Sequence, residues 1–288
     1  MKSRMAEILS LSAVLMIAPN CVAQLANFTV IDHPSASATA AFGINDSGDI
    51  VGVFTDSAGQ HGYRLSKGVF TTIDFPGANM TAGAAINSQG DVAGYYTYAG
   101  SPQHGFVLSE GVFTPVDVPS SDMTGPFGIN PRGEVVGHMT YPGSKMLGWV
   151  FRKGEYTVID YPLPGTLMGC AFGINAEGTI VGHYQDASKK IFGWILRRGE
   201  FTPFEVPGAL GTMTNTGGIN AAGDIVGPYT GADGKTRGFV RTKDGEFVSI
   251  SIPGAKSTTV RGINDRGQIV GAFTDASSVQ HGFVATLE

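Results

Sequence analysis

The sequence predicts an all-β protein, a six-bladed β-propeller with four antiparallel strands per blade. Three observations predict it: a sixfold internal repeat, four strand-like segments in each repeat, and no helical periodicity beyond the first 23 residues. The repeat is marked by Gly-Ile-Asn-x-x-Gly, with Ala for the first Gly in one copy. Its asparagines are Asn45, Asn87, Asn130, Asn175, Asn220 and Asn264, spaced 42 to 45 residues apart. A period in this range belongs to stacked or radially arranged units.

The second copy shows the strands in order. Ala82 to Asn87 is short and small, and Asn87-Ser88-Gln89-Gly90 reads as a turn into Asp91 to Thr97. A polar loop leads to Gly105 to Ser109, and Glu110-Gly111 turns into Val112 to Pro119. Each strand has its own composition. The residue before Ile-Asn is always small (Gly43, Ala85, Gly128, Gly173, Gly218, Gly262), which suits an innermost strand crowded at an axis. The third strand always carries an aromatic: Tyr63, Phe106, Trp149, Trp194, Phe239 and Phe283. A ring at one register suits packing between neighbouring blades. The fourth strand accepts Pro115 and Pro203, so it is an edge strand. Asp32, Asp74, Asp117, Asp160 and Glu205 lie beside it, where charge discourages edge-to-edge pairing.

The sixth copy ends after its third strand. Phe28-Thr29-Val30-Ile31-Asp32-His33-Pro34 matches Phe70-Thr71-Thr72-Ile73-Asp74-Phe75-Pro76, so the N-terminal strand is expected to complete the last blade and close the ring.

The start of the chain reads as a leader. Lys2 and Arg4 precede an apolar run from Ile8 to Ala18, then Pro19 and the small residues Cys21-Val22-Ala23. This predicts a secretory signal peptide over 1–23 cleaved after Ala23, with the propeller over 24–288 and a secreted or periplasmic protein. The apolar run is too short for a membrane span, which needs about 20 residues. Loss of Cys21 leaves Cys170 alone, without an intrachain disulfide and with the character of a small buried residue. The net charge of −5 and sparse Lys and Arg argue against nucleic acid as a partner.

The Gly-Ile-Asn-x-x-Gly-x-Ile-Val-Gly phrase, His104 and His281 in His-Gly-Phe, and the trailing Phe-Thr-x-Ile-Asp-x-Pro resemble the HAF repeat family of exported bacterial proteins. The resemblance covers essentially all of 24–288. Leu147, Phe192 and Arg237 depart from it at the histidine position. It implies an exported repeat protein and brings no catalytic residues.

Candidate chemistry lies where copies differ. The constant asparagine reads as a turn residue that bonds the backbone ahead of it, although Asn45-Asp46-Ser47-Gly48-Asp49 also resembles a small calcium loop. His61, His104 and His281 sit at equivalent places on separate blades, too far around a ring to converge on one metal. His138 and His183 share one register on adjacent blades; they read as a pair of partly buried, hydrogen-bonded histidines, the alternative being a pair facing one ligand pocket with Tyr141 and Asp186 in the following loops. Six residues before the repeat asparagines stand Thr39, Thr81, Thr124, Gly169, Thr214 and Thr258, placed to satisfy backbone groups at strand starts. Nearby, Asn79, Asp122, Asn215 and Arg261 are candidate ligand-binding residues near the axis. No nucleophile elbow, phosphate loop or zinc-protease motif is present, so no catalytic residue, metal or cofactor is expected.

The expected function is an exported, non-enzymatic binding module for a glycan or a protein. Its ligand is expected on the face of the variable loops 56–61, 77–83, 98–104, 120–126, 141–147, 163–169, 185–191, 208–216, 231–237 and 275–281. The alternative is a hydrolase or lyase acting on a lactone or polysaccharide at the central channel.

Overall fold

The computed structural model describes residues 25–214 and 218–287; the expected leader over 1–23 and the candidate Asn215 lie outside them. Every assigned element is a β-strand, and among the described residues no helix is long and apolar enough to cross a membrane. The first repeat sets the pattern: Ala38–Ile44, Ile50–Thr55, Gln60–Ser66 and Val69–Ile73 pair antiparallel in that order.

The sheets have a β-propeller arrangement, but not as six separate sheets. Four stand alone with four strands each, and the remaining two repeats share one eight-stranded sheet. The reason is local: Gln60 and Met80 form a parallel bridge between the third strand of repeat 1 and the first strand of repeat 2. A second departure is in repeat 5, where the inner strand shrinks to Gly211–Thr212. Eight positions separate Thr212 from Asn220, whereas six separate Thr258 from Asn264, so two extra residues interrupt the ladder.

The N-terminal strand Leu25–Ile31 pairs with Gln280–Leu287 and is the outer strand of the sixth repeat's sheet. Six apolar clusters each join two successive repeats, including the last to the first. Tyr63 packs with Ile31 and Val270 across that closure. Phe106, Trp149, Trp194, Phe239 and Phe283 occupy the corresponding clusters. All six rings are essentially fully buried.

The glycine of the second strand faces each ring across the ladder, as Gly137 faces Trp149. A Cβ on Gly137 would lie 1.9 Å from the Gly125 carbonyl oxygen and 2.8 Å from the Trp149 ring. Backbone cannot yield by that amount, so ring and glycine are one device. The crowded carbonyl belongs to a bulged strand: the register of the inner strand slips between Pro126 and Gly128, and likewise in repeats 1, 2, 4 and 6. Bulges re-aim a side chain, and here the skipped residues are Phe42, Ala84, Phe127, Phe172 and Arg261.

The turn asparagines do more than make turns. Asn175 Oδ1 accepts the Thr179 N–H at 3.0 Å, and Gly178 follows with φ of 82°. Its Nδ2 then donates to the Asn220 carbonyl oxygen of the next repeat at 3.2 Å. The same donation links Asn45 to Asn87, Asn87 to Asn130, Asn130 to Asn175 and Asn220 to Asn264. Asn264 closes the circle onto Asn45 at 3.0 Å.

Two expectations follow. Asn175→Asp keeps the turn acceptor and loses the donor to Asn220. It should lower stability by about 1–3 kcal/mol, the usual cost of leaving a buried acceptor unpaired, read as a lower midpoint in denaturant; an unchanged midpoint would show the ring to be incidental. Deleting residues 25–31 exposes the Gln280–Leu287 edge and opens the Tyr63 cluster, so the melting temperature should fall steeply. A deletion variant melting with the parent would refute closure by this strand.

Candidate functional site

Three of the sequence candidates meet at the axis. His138 lies on Val135–Thr140 and His183 on Ile180–Gln185. Their rings pack on the bulge residues: His138 is 4.5 Å from Phe127 and 5.7 Å from Phe172, and Phe172 stacks on His183 at 4.9 Å. Arg261 stands over Phe42 at 4.4 Å. Tyr95, 5.3 Å from Phe127, joins the same cluster, as does Cys170, whose Sγ lies 3.2 Å from Met146 Sδ.

The electrostatics of this cluster are those of a largely apolar site, with His183 and Cys170 buried and His138, Tyr95 and Arg261 partly buried. Burial pushes the His138 imidazole down to about 3, with repulsion from His183 adding to it. Burial takes His183 down to about 4, against the opposing effect of the Thr214 carbonyl 3.3 Å from Nδ1. Burial also lowers Arg261, opposed by Tyr95, and raises the Cys170 thiol to about 12. Among the described residues, neither imidazole has a carboxylate partner and His138 Nδ1 has no hydrogen-bond partner. The space between the histidines is packed with phenylalanine, because the inner-strand bulge brings Phe127 and Phe172 against each other and against both imidazoles.

The other candidates do not join them. Asn79 and Asp122 are exposed in the loops entering the first strands, where their N–H groups donate to Thr97 and Thr140 carbonyls at 2.8 and 2.7 Å. Tyr141 packs on the outer side of the cluster around Trp149. Asp186 closes its own loop by accepting from Ser188 and Lys190, and the Ser188 hydrogen bond is the main cause of its lowered pKa. The strand-entry threonines accept a backbone N–H six residues upstream, as Thr124 does from Val118 at 3.0 Å. In repeat 5 that role belongs to Thr212 rather than Thr214, because the two extra residues follow it.

The rim acids lie beside outer strands, as expected, and are also paired. His61 meets Asp74 at 2.9 Å, His104 meets Asp117 at 3.1 Å and His281 meets Asp32 at 2.9 Å. Where Leu147 and Phe192 replace the histidine, a loop lysine takes over: Lys145 binds Asp160 and Lys190 binds Glu205. Asp49, the last residue of the calcium-like loop, is taken by Arg64 at 2.6 Å.

Two open grooves were missed by the sequence reading. One, of about 670 Å³, lies between repeats 1 and 2 and is lined by Arg64, Thr71, Thr72, Asp74, Gln89, Asp91, Ser109, Glu110 and Phe113 among others. The second, of about 530 Å³, lies between repeats 3 and 4, with Arg132, Glu134, Arg152, Thr157, Asp160, Glu177, Arg198 and Phe201. No residue of the variable loops lines either groove. Each is built from the outer strands of one repeat and the tight turns of the next. The walls are held by ion pairs: Arg152 reaches Glu134 at 3.3 Å and donates to the Gly178 carbonyl of the neighbouring turn. Burial opposes ionisation of Asp49 and Glu134. Hydrogen bonds from Ser66 and Arg64 to the first, and from Arg132 and Asn130 to the second, hold both below the ordinary carboxyl range. One sequence signal was available: Arg64 occupies a third-strand register that otherwise holds Val107, Val150, Ile195, Val240 and Val284.

No protein-family model matches the chain, and no curated protein matches it. Solved structures do. AofleA from Arthrobotrys oligospora aligns with a TM-score of 0.56 at 15% identity over 91% of this chain and 87% of that one. The SapL1 lectin, solved in complex with alpha methyl fucoside, gives 0.54 at 14% identity over 87% and 95%. TolB from Acinetobacter baumannii gives 0.56 at 10% identity over 83% of this chain and 64% of that one. At these identities the likeness is one of fold.

The axial histidines carry a pH expectation. Unfolded imidazoles take up protons near pH 6.5, whereas His138 and His183 in the folded chain resist them down to about 3 and about 4. Their contribution to stability is therefore complete above about pH 6.5 and is lost as pH falls toward 4. A His138→Phe/His183→Phe double variant should show a flatter stability profile between pH 6.5 and 4.5 than the parent. Parallel profiles would remove the axial cluster from the acid response.

Proposed function

We propose that this chain is a six-bladed propeller of the HAF repeat kind, exported from the cell, and a non-enzymatic carbohydrate-binding module. The blade count rests on six repeat asparagines in one closed ring, six inter-repeat clusters, and an eight-stranded sheet whose two four-stranded halves share a single bridge. Export rests on the leader over 1–23.

The single observation that carries the binding reading is the composition of the two grooves between repeats. Each brings guanidinium, carboxylate, hydroxyl and a phenylalanine to one open cleft. That set suits a sugar: charged groups donate to and accept from ring hydroxyls, and the aromatic covers a C–H face. Cavities of this size are ordinary small-ligand sites. The fold shared with the SapL1 lectin supports the same reading. The ligand then lies on the groove walls and not on the variable-loop face. The hydrolase or lyase alternative lacks support at the axis, where both imidazoles are enclosed by phenylalanine without a carboxylate.

A glycan array followed by calorimetric titration of its best saccharide tests the reading. Arg64→Ala and Arg152→Ala should each weaken binding at least tenfold, about 1.4 kcal/mol, while Tyr141→Ala on a variable loop leaves it unchanged. An empty array, or arginine variants that bind like the parent, would overturn it.

A further inference from the structure

Repeat 5 breaks the pairing rule that the other five repeats obey. In those five, an acid just after the fourth strand is paired within its own repeat, with a histidine (Asp32, Asp74, Asp117) or a loop lysine (Asp160, Glu205). The register identifies the counterpart in repeat 5. Gly62 faces Ile73 immediately before Asp74, and Gly238 faces Ile250 immediately before Ser251. The acid has become a serine.

The cations have not been lost with it. Lys235, Arg237 and Lys256 line a pocket of about 370 Å³ there, together with the hydroxyls of Thr236, Ser251 and Ser257. No carboxylate is among the lining residues. Arg237 is turned onto its own loop, held by Asp233 at 2.7 Å, and this pairing raises the arginine further. Lys256 Nζ meets a neutral group, Ser278 Oγ at 2.5 Å, and among the described residues neither lysine has a carboxylate partner within ion-pair distance. The pocket lies on the variable-loop side, between repeats 5 and 6, apart from both grooves.

We propose that this pocket binds an oxyanion, the carboxylate or sulfate of an acidic saccharide, in the place where the other repeats carry their own acid. Two ammonium groups, the guanidinium edge that Asp233 leaves free, and the hydroxyls of Thr236 and Ser251 supply donors, and the nearest acid, Asp233, lies outside the lining and is turned onto Arg237. Charge-assisted hydrogen bonds of this kind are about twice as strong as neutral ones. Neutral sugars lack the group that would satisfy them.

Calorimetric titration of the full chain at constant ionic strength tests this, with inorganic sulfate, glucuronate, glucose 6-sulfate and glucose as probes. Saturable binding is expected for at least one charged probe and not for glucose; glucuronate against the two sulfates separates the carboxylate from the sulfate source. Ser251→Asp restores the acid of the other five repeats, so it should abolish binding while leaving the melting temperature at or above that of the parent. Lys256→Ala, on an exposed side chain, should weaken binding at least tenfold, and Arg64→Ala should have no effect. Failure of every charged probe, or unchanged binding by both Ser251→Asp and Lys256→Ala, would overturn the proposal. Arg64→Ala separates this outcome from that of the groove reading.

Discussion

The circle of asparagine side chains is the constraint on which the rest of the structure depends. Each amide does two jobs with its two ends. The oxygen closes a tight turn within one repeat, and the nitrogen donates to the same residue's carbonyl in the next. All six carboxamides are buried, so each donor and acceptor must be matched or the repeat loses a buried hydrogen bond. The last link, Asn264 to Asn45, spans 219 residues of sequence at 3.0 Å. A seventh repeat or a missing one would break it, so the ring geometry and the repeat number are mutually determined.

Radially outward from that circle, packing follows from one exchange of volume. A third-strand aromatic enters the space left by a second-strand glycine, and the inner strand bulges to bring its carbonyl against the same glycine. In repeats 1, 2, 3, 4 and 6 the bulge then turns one residue toward the axis. Large residues there, Phe42, Phe127 and Phe172, fill the centre and take His138 and His183 into an apolar environment. The centre beside the histidines is therefore packed; a small hollow of about 90 Å³ remains on the axis at the asparagine turns, and the larger open spaces lie between repeats.

Legibility differed between frame and site for a physical reason. Turns, strand order, the shared ring register and the borrowed N-terminal strand are encoded locally and repeated, so periodicity exposes them. The registers of Thr212 and the inner bulge depend on insertions within a repeat, and counting backwards from an asparagine misplaces them. The axial meeting of His138 and His183 was legible as a shared register, but its filling was not, because the bulge sets the direction of Phe127 and Phe172. Arg64 and Arg152 each pair with an acid of their own repeat and also reach the next one, at the Gly90 turn and the Gly178 carbonyl, a proximity that one repeat alone does not show.

The sequence by itself determined the all-β class, the repeat, the roles of turn glycine and asparagine, and the strand that completes the sixth repeat. Each follows from short-range stereochemistry copied many times. Tertiary structure decided what one repeat does to the next: the amide circle, the joined sheets of repeats 1 and 2, the packed axis, the grooves, and the repeat-5 pocket whose missing acid is visible only beside five paired ones. Those features arise from contacts between residues some 40 positions apart, where the geometry of the ring, and not the local chain, sets who meets whom.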